Sequence, residues 1–321
     1  MATKILITGS TGFVGSYLAE YLVDKYSDIE LYGTYLSDHS IINLEAVKNH
    51  IQLTKINLSN EKEVFKLIEE IKPNIIYHLA AMPSAADSFS SPAESIINNI
   101  QSQINVLEGI RKLNLIDSKI LIVSSAEIYG DVVKKDLPID ENADFRPTNP
   151  YAVSKLTQDF LGLQYFLSYN LKIIRVRPFN HIGPRQSPGF VVSAFAKKIV
   201  EIEKGKGNGV LTVGNLEAKR DFTDVRDMVK AYDLAVSKGI IGEAYNLGYG
   251  TSYKISDILK RLLALSKAKI KVEVDKSLFR PVDNPDLICD ATKFKKLTGW
   301  IPEIEINITL KDTLDYWRNI I

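Results

Sequence analysis

The sequence predicts an α/β fold, a doubly wound parallel sheet followed by a smaller C-terminal substrate-binding lobe. Three observations lead to this prediction. Short apolar runs alternate with longer amphipathic stretches, a glycine-rich turn follows the first run, and the composition is that of an ordinary globular protein. The chain has 321 residues, of which 45% are hydrophobic and 25% are charged. That length suffices for one large domain, or for one domain that carries a smaller lobe.

The first half of the chain contains apolar runs that are rich in Ile, Leu and Val at successive positions. Strands buried on both faces of a parallel sheet have this pattern, whereas half-exposed strands alternate apolar with polar residues. The amphipathic stretches between the runs have the length and spacing of helices. The predicted strands are 4–8, 29–34, 51–56, 74–80, 118–125 and 171–178, and the predicted helices are 12–25, 60–71, 93–114 and 149–169.

The turn after the first apolar run contains three glycines, Gly9, Gly12 and Gly15. In the Rossmann-type version of this fold, such glycines allow a tight turn, close approach of the backbone to a diphosphate, and close packing of the helix on the strand. The N-terminus of the helix offers free N–H groups and the positive end of its dipole to an anion. Because the glycines lie between a predicted strand and a predicted helix, we expect this turn to bind a dinucleotide.

The segment after the second strand bears on the choice between the two nicotinamide dinucleotides. An acid at this point binds the ribose hydroxyls, whereas an Arg accommodates the extra phosphate of NADP. Tyr35 stands in the place of the acid, Asp38 follows it, and no Lys or Arg lies between Tyr26 and Val47. We therefore expect NAD(H) in preference to NADP(H), unless a basic residue from elsewhere in the chain folds against this segment.

A candidate catalytic set lies farther along the chain. Asn149 is expected to cap a helix that begins at Pro150. Tyr151 and Lys155 then share one face of that helix, a turn apart, and a cation near a phenol, reinforced by the oxidised nicotinamide, lowers the phenol's pKa. Such a tyrosine exchanges a proton while a hydride moves. Ser125 ends the fifth predicted strand, where ligands bind in this architecture, and is expected to hydrogen-bond the same substrate oxygen.

The second half of the chain has loops rich in Gly, Pro and Lys, and its predicted helices are 189–203, 225–238, 255–267 and 307–320. We assign residues 1–178 to a dinucleotide-binding domain, to which the segment near 222–247 is expected to return. Residues 179–321 are assigned mainly to the substrate-binding lobe. A single continuous domain is the alternative interpretation.

Five short motifs can be compared as a set. They are Gly9-x-x-Gly12-x-x-Gly15, His78-Leu-Ala-Ala81, Ser125-Ala-Glu-Ile-Tyr-Gly130, Tyr151-Ala-Val-Ser-Lys155 and Arg177-Pro-Phe-Asn180. Together they resemble the extended short-chain dehydrogenase/reductases, and the resemblance extends over essentially the whole chain. It implies a nicotinamide-dependent enzyme that acts on nucleotide-activated sugars. It also implies a homodimer, in which helices 93–114 and 149–169 of both copies form a four-helix bundle. Amphipathicity alone leaves a monomer open.

The resemblance implies roles for individual residues. Ser125, Tyr151 and Lys155 are implied to be catalytic, and Asn57 stands where the family often has an Asp beside the adenine. The implied cofactor contacts are Gly9, Thr11, Gly12, Phe13, Val14, Gly15, Tyr35, Asn57, Leu58, Leu79, Ala80, Ala81, Asn99, Tyr151, Lys155 and Pro178. The implied substrate contacts are Ser84, Asn180, Val191, Arg220 and Arg280.

The second half of the chain resembles one branch of the family more than others. Segments 180–205, 213–232 and 279–287 are similar to the GDP-4-keto-6-deoxy-D-mannose reductases. The GDP-mannose 4,6-dehydratases share Gly214-Asn-Leu-x-Ala-Lys-Arg220-Asp221, but Gln186-Ser-Pro-Gly-Phe-Val191 favours the reductases. This implies an oxidoreductase that acts at C4 of a GDP-linked manno-type sugar, with the direction of the hydride transfer left open. A diphosphate needs cations and donors, which makes Arg220 and Arg280 candidates for its clamp.

Glu127 keeps a second function open. In the dehydratases a carboxylate here removes the proton next to the keto group, and the residue before it helps to expel the hydroxyl. The preceding residue in this chain is Ala126, which transfers no proton, so dehydration of GDP-mannose is the alternative hypothesis. A third hypothesis, a non-catalytic dinucleotide-binding regulator, is disfavoured by the intact set of Ser125, Tyr151 and Lys155.

Composition restricts the partners and the compartment. The chain has 40 Lys and Arg against 39 Asp and Glu, which gives none of the basic surplus typical of nucleic-acid binding. Its single cysteine, Cys289, cannot form an intramolecular disulfide, and the four histidines show no zinc-type spacing. We therefore expect no metal and a cytoplasmic location. No apolar stretch approaches the ~18 residues of a membrane span, and no signal peptide is recognisable.

Overall fold

The computed structural model describes residues 2–279, 282 and 284–321, and these residues form thirteen β-strands and ten α-helices. The strands are β1 (Thr3–Thr8), β2 (Ile29–Tyr35), β3 (Ile51–Lys55), β4 (Ile75–His78), β5 (Lys119–Val123), β6 (Lys172–Pro178), β7 (Asn180–Ile182), β8 (Val210–Val213), β9 (Lys219–Asp224), β10 (Ala244–Leu247), β11 (Ser252–Lys254), β12 (Lys271–Val274) and β13 (Asp286–Leu287). The helices are α1 (Phe13–Lys25), α2 (Glu61–Ile71), α3 (Ala85–Ser90), α4 (Pro92–Lys112), α5 (Pro150–Tyr169), α6 (Val191–Glu203), α7 (Val225–Lys238), α8 (Ile255–Ala264), α9 (Thr292–Thr298) and α10 (Ile306–Ile320).

Seven of the described strands form one sheet, in the order β10-β6-β5-β4-β1-β2-β3, and every pair in it is parallel. The strand order runs outward from β1 in both directions, which is the arrangement of a doubly wound fold. The predicted fold class is therefore confirmed. The point between β1 and β4, where the order reverses, is where such sheets bind ligands, at the carboxyl ends of the strands.

Both faces of this sheet are covered by helices. Successive residues of β1 point to opposite faces, so Ile5 and Ile7 join one apolar cluster while Leu6 joins another. The first cluster contains residues of α1 and α7, which pack on each other. The second contains residues of α2, α4 and α5, with α4 packed against both neighbours. Burial on both faces explains why the central strands β1, β4 and β5 are almost continuously apolar.

The chain leaves the main sheet after β6 and returns to it for α7 and β10. In between and afterwards it builds a smaller lobe, in which β9 pairs with β7, β11 and β13, while β8 pairs with β12. Helices α6, α8 and α10 pack together in this lobe around a third apolar cluster. The turns after the parallel strands face this lobe across a cavity. None of the described helices is both long enough and apolar enough to cross a membrane.

Candidate active site

The glycine-rich turn after β1 has the conformation that its residues predict. Gly9 adopts a φ of +69°, which is unfavourable for other residues, and its N–H donates to Thr34 Oγ1 at 3.1 Å. A Cβ at Gly15 would lie 2.3 Å from the carbonyl oxygen of Gly9, so α1 packs against the turn only with glycine there. A Cβ at Gly12 would meet only that same oxygen, at 3.3 Å. The turn is therefore tight on its inner side and open beside Gly12.

The open side of the turn faces a cavity of about 1020 Å³, which is large for a small-molecule site. Helix α1 begins at its rim, and its N-cap, Gly12, has no side chain to satisfy the first N–H groups. Free N–H groups at the positive end of a helix dipole suit a diphosphate. Most of the predicted cofactor contacts line the same cavity: Gly9, Thr11, Gly12, Phe13, Val14, Gly15, Tyr35, Asn57, Leu58, Leu79, Ala80, Ala81, Tyr151, Lys155 and Pro178. The residues present thus fit a dinucleotide.

Asn99 is the exception, because it is fully buried behind the cavity wall and does not line it. Its amide donates to Ser154 Oγ at 2.9 Å and to the Met82 carbonyl at 3.3 Å, while its Oδ1 accepts from the Met82 N–H at 2.7 Å. The expected cofactor contact is therefore corrected to an indirect role. Asn99 fixes the turn after β4 to α5.

A cation does fold against the segment that follows β2. Lys55, at the end of β3, lies opposite Tyr35 in the sheet and forms an ion pair of 2.5 Å with Asp38. Both side chains are more than half exposed. The absence of Lys and Arg between Tyr26 and Val47 therefore does not leave this part of the molecule without a positive charge. The pairing of β3 with β2 brings Lys55 next to this segment, although Lys55 is distant from it in the sequence.

The predicted catalytic residues meet at the carboxyl end of β5. As predicted, Asn149 caps α5, with its Oδ1 accepting from the Ala152 N–H at 2.7 Å, and Pro150 is the first helical residue. Lys155 is almost fully buried, and its Nζ donates to the Val123 carbonyl at 2.8 Å. Ser125 is the second residue after the strand and, like Tyr151 and Lys155, lines the cavity.

The electrostatics of this set differ from the expected lowering of the tyrosine pKa. Burial raises the pKa of Tyr151 well above its ordinary value, the nearby carboxylate of Glu127 raises it further, and a hydrogen bond with Ser125 offsets part of the increase. Burial also lowers the pKa of Lys155 to about 7. At neutral pH the amine therefore carries only part of a positive charge in the protein alone, and Tyr151 remains a protonated phenol.

Glu127 also lines the cavity, on the short 3-10 helix Ala126–Tyr129. Its carboxylate accepts a hydrogen bond from Asn149 Nδ2 at 3.1 Å, so the residue that caps α5 also orients this side chain. Ala126, the residue before it, is buried at the cavity and brings no polar side-chain atom. The geometry thus provides one carboxylate near Tyr151 without a second proton-transferring group at position 126.

The opposite wall of the cavity belongs to the smaller lobe. The predicted substrate contacts Ser84, Asn180, Val191 and Arg220 all line the cavity, whereas Arg280 lies outside the described residues. Arg220 is nearly buried, and its guanidinium donates to the carbonyl oxygens of Lys219 and Asn284, each at 2.7 Å. Its position is thus fixed by the backbone on both sides, with the side chain at the cavity wall.

Further residues of the wall were not assigned a role from the sequence, among them His181, Arg185, Gln186 and Tyr232. Arg185 adopts a φ of +71° and reaches α1, where it pairs with Glu20 at 2.8 Å and lies over the ring of Tyr17. It therefore ties the lobe to the dinucleotide half. No sequence signal reveals these contacts, because each depends on the packing of segments far apart in the chain.

This combination of a doubly wound parallel sheet, a glycine turn at the start of α1, and a Ser–Tyr–Lys set at a cavity between two lobes is that of an extended short-chain dehydrogenase/reductase. Among the described residues, no group of His, Cys, Asp or Glu side chains is placed to hold a metal ion. A family model described as GDP-mannose 4,6 dehydratase matches residues 6–313, and the chain belongs to that family.

Individual relatives agree with this assignment. The chain is 30% identical to GDP-6-deoxy-D-mannose reductase of Pseudomonas aeruginosa, over 99% of this chain and 98% of that one. It is 29% identical to a GDP-mannose 4,6-dehydratase of Vibrio cholerae, over 94% and 90%. Among solved structures, RMD from Pseudomonas aeruginosa complexed with NADPH has a TM-score of 0.86 at 28% identity, and each chain is fully covered.

Proposed function

We propose that this protein is an NAD(P)-dependent reductase that acts at C4 of a GDP-linked 4-keto-6-deoxy sugar of the manno type. One observation carries the proposal: Ser125, Tyr151 and Lys155 lie on the wall of a single cavity that extends from the glycine turn to Arg220 in the smaller lobe. A dinucleotide and a sugar nucleotide bound at its two ends would meet at this set. The similarity to a GDP-6-deoxy-D-mannose reductase supports the substrate class.

In this mechanism the protein positions the ligands and supplies the proton. A bound nicotinamide dinucleotide supplies the hydride. Tyr151 is kept as a neutral phenol by burial, and this is the form that donates a proton to the carbonyl oxygen at C4 during reduction. The Ser125 hydroxyl orients that oxygen. The amine of Lys155, with a pKa of about 7, is partly protonated at neutral pH, and its ammonium form stabilises the phenolate that the proton transfer leaves on Tyr151.

The smaller lobe is proposed to hold the GDP-sugar. A diphosphate needs hydrogen-bond donors and positive charge, and Arg220 brings a guanidinium to the wall that faces the catalytic set. Asn180 and Ser84 add polar groups on the same cavity. The division of the chain into a dinucleotide-binding domain (1–178, with 222–247) and a lobe formed mainly by 179–321 is part of this proposal. It is supported by the position of β10 beside β6 in the main sheet.

Glu127 favours a second candidate function, dehydration of GDP-mannose. Its carboxylate lies beside Tyr151 and is oriented by Asn149, as a base that removes a proton next to a keto group would be. Elimination of water also needs a proton for the leaving hydroxyl, and Ala126 does not offer one. We therefore place the reductase first.

Two incubations separate these candidates. The reductase consumes NADH or NADPH in proportion to added GDP-4-keto-6-deoxy-D-mannose. The dehydratase converts GDP-mannose to a 4-keto-6-deoxy product with no added reductant. Product formation only in the second incubation contradicts the reductase.

We also propose that the enzyme prefers NADH to NADPH. Lys55, which lies opposite the end of β2, is paired with Asp38, and a 2′-phosphate would have to compete with that carboxylate. Titration of the ligand-free protein with both nucleotides is expected to give the lower Kd for NADH. In the variant Asp38→Asn the two Kd values are expected to converge. A lower Kd of the unaltered protein for NADPH would contradict the preference.

A homodimer is proposed through α4 and α5, which pack side by side. Ile97 on α4 is 63% exposed, and Val153 and Leu167 on α5 are 40% and 68% exposed, so an apolar stripe crosses the outer face of the pair. Pairing of two copies across this stripe would form a four-helix bundle. The variant Leu167→Glu is expected to be a monomer by light scattering, and a monomeric unaltered protein would contradict the proposal.

The buried thiol of Cys289 is compatible with the cytoplasmic location that we propose.

A further inference from the structure

Arg185 has a backbone conformation that favours glycine. Its φ of +71° lies in the left-handed region, where any residue with a side chain pays a conformational cost that glycine avoids. Residues in such conformations persist when the surrounding contacts fix them, and they are concentrated at functional sites. The side-chain contacts of Arg185 must therefore offset the cost of its backbone.

The side chain of Arg185 makes three contacts with α1. Its Nη2 forms an ion pair of 2.8 Å with Glu20, its Nη1 donates to Ser16 Oγ at 3.3 Å, and its guanidinium lies 4.5 Å from the centre of the Tyr17 ring. The side chains of the ion pair are only 22% and 24% exposed, so solvent screens it less than a pair on the surface. Because Arg185 follows β7 of the smaller lobe, these contacts join that lobe to the dinucleotide half.

Arg185 lies in the middle of the segment 180–191, most of whose residues line the cavity. Near the start of the segment, the ring of His181 lies parallel to that of Phe13, the first residue of α1, with the ring centres 6.0 Å apart. At its end, Val191 begins α6 of the smaller lobe. The segment therefore extends from the helix that is expected to hold the dinucleotide to the lobe that is expected to hold the sugar nucleotide.

The same segment is attached to the smaller lobe independently of Arg185. Its strand β7 pairs with β9, and Ser193 Oγ on α6 donates to the Gln186 carbonyl at 2.6 Å. Removal of the Arg185 side chain would leave these bonds in place and would remove the ion pair with α1. What Arg185 fixes is thus the position of the lobe wall relative to the dinucleotide half.

We propose that Arg185 is a positioning residue, which fixes the smaller lobe against α1 and so sets the distance between the two bound ligands. Hydride transfer requires the reacting carbons to lie close together, and a displacement of about 1 Å can slow a reaction about 100-fold. Since each ligand is proposed to bind mainly to one half, a loosened contact impairs the transfer more than it impairs binding. The inference rests on the proposed function, because it requires a dinucleotide and a sugar nucleotide in one cavity.

Glu20 allows the proposal to be tested without a change in the cavity wall. Arg185 itself lines the cavity, so its replacement would also remove any contact that it makes with a ligand, whereas Glu20 does not line the cavity. The test compares Glu20→Gln, Arg185→Gly and the double variant in the full-length protein. Glycine accepts the left-handed conformation, so Arg185→Gly removes the side chain without adding backbone strain.

Arg318→Ala is the matched control. Arg318 is 33% exposed and pairs with Glu203 at 2.7 Å, but this ion pair lies within the smaller lobe and outside the cavity. Its loss is expected to lower stability without changing how the two halves face each other. The measurements are kcat with the 4-keto sugar nucleotide, the Kd values for NADH, NADPH and GDP by fluorescence titration, and the thermal midpoint.

For Arg185→Gly we expect kcat to fall at least about tenfold, while all three Kd values stay within about threefold. Glu20→Gln should lower kcat by a smaller factor, and the double variant should resemble Arg185→Gly, because the two side chains act through one contact. Arg185→Lys keeps the charge opposite Glu20 and should recover part of kcat. Arg318→Ala should lower the thermal midpoint about as much as Arg185→Gly does, by roughly 2–4 °C, with unchanged kcat.

Three results would overturn the inference. Unchanged kcat in Arg185→Gly would mean that the contact does not set the distance between the ligands. Weaker binding of NADH and NADPH in Arg185→Gly, with normal kcat in Glu20→Gln, would mean that the guanidinium contacts the dinucleotide directly. A loss of kcat in Arg318→Ala as large as that in Arg185→Gly would mean that activity follows stability.

Failure of the proposed function is distinguishable from failure of this inference. If the unaltered protein dehydrates GDP-mannose and does not reduce the 4-keto sugar, the proposed function fails. The same variants are then compared by their rates of dehydration, because that reaction also begins with hydride transfer from C4 to the dinucleotide. If the unaltered protein converts neither substrate, the proposed function and this inference fail together.

Discussion

The two walls of the cavity are assembled from different distances along the chain. The dinucleotide wall consists of segments that follow the strands β1 to β5, up to the first turns of α5. The opposite wall consists of short strands with remote partners, such as β9, whose residue Lys219 lies opposite Asp286 of β13. The first wall is therefore specified by local sequence, and the second by contacts that form only in the folded lobe.

This difference separates two parts of the proposed activity. The dinucleotide wall, called the local wall below, carries the groups that any hydride-transferring member of the fold needs: the glycine turn, Tyr151 and Lys155. The opposite wall, called the remote wall below, carries groups that would select the substrate, among them Arg220 and Asn180. Variants in the first wall are accordingly expected to affect turnover or nucleotide binding, and variants in the second to affect the KM of the sugar nucleotide.

The largest effect is expected from Tyr151→Phe in the local wall. Removal of the hydroxyl takes away the proton donor, and we expect kcat to fall about 10²- to 10⁴-fold. The Kd values for nucleotide and sugar nucleotide should stay within about threefold, because the ring remains in place. Steady-state kinetics and titration measure both quantities. Equal loss of binding and turnover would contradict the assigned role.

Lys155→Met in the same wall tests the buried amine through stability. Burial lowers the pKa of Lys155 from 10.5 to about 7, so between these values the unfolded chain binds more protons than the folded one. The stability contribution of this group is therefore present above pH 10.5 and is lost as the pH falls towards 7. From pH 7 to 9 the unaltered protein should gain up to about 1.4 kcal/mol per pH unit over the variant.

Urea denaturation at several pH values between 7 and 9 measures this difference in slope. Lys198→Met is the matched control, because Lys198 also lines the cavity but is 44% exposed and paired with Glu201. This control variant should show the same slope of unfolding free energy against pH as the unaltered protein. Parallel pH profiles for Lys155→Met and the unaltered protein would show that the amine titrates as it does in water.

Two glycines of the local wall separate ligand binding from folding. In Gly12→Ala the new methyl meets only the Gly9 oxygen, at 3.3 Å, and otherwise projects toward the open side of the turn, where we expect the diphosphate. We expect the Kd for the nucleotide to rise at least about tenfold, which is more than the loss of one hydrogen bond would cause. The thermal midpoint should change little. In Gly15→Ala the methyl would lie 2.3 Å from the same oxygen, and we expect a loss of about 1–3 kcal/mol in stability.

Calorimetry and fluorescence titration distinguish the two glycine variants. If Gly12→Ala destabilises the protein as much as Gly15→Ala does, the turn is not open beside Gly12. If it binds nucleotide normally, the diphosphate does not lie there.

A smaller effect is expected from Arg220→Lys in the remote wall. Lysine keeps the charge but loses the planar fork that binds a diphosphate and holds the carbonyls of Lys219 and Asn284. We expect the KM for the GDP-sugar to rise about tenfold, while kcat and the Kd for NAD(P)H change little. A selective fall in kcat would place Arg220 in the chemistry instead of in substrate binding.

The same contrast explains how far the sequence could predict the molecule. The strands β1 to β6 and the helices around them follow from apolar runs and helical spacing, and the catalytic helix follows from Asn149 and Pro150. The short strands β8, β9 and β11 to β13 were not predicted, because their pairing partners lie far away in the chain. The ion pair between Lys55 and Asp38 was not predicted for the same reason, because it depends on the pairing of β3 with β2.

Burial accounts for the remaining differences. Asn99 has the residue type of a ligand contact, but the packing of α4 on α5 places it behind the wall. The lowered pKa expected for Tyr151 does not appear in the protein alone, because desolvation acts on both Tyr151 and Lys155.

The central claim is that hydride passes between a nicotinamide dinucleotide and C4 of the GDP-sugar. It is tested most directly by incubating the protein with GDP-4-keto-6-deoxy-D-mannose and NAD(P)H that carries deuterium at the transferable position, followed by mass spectrometry of the sugar. We expect a reduced product that contains one deuterium at C4, formed in equal amount to the oxidised nucleotide. An unreduced, unlabelled sugar, together with conversion of GDP-mannose to a 4-keto-6-deoxy product without net consumption of nucleotide, would contradict the claim and establish the dehydratase instead.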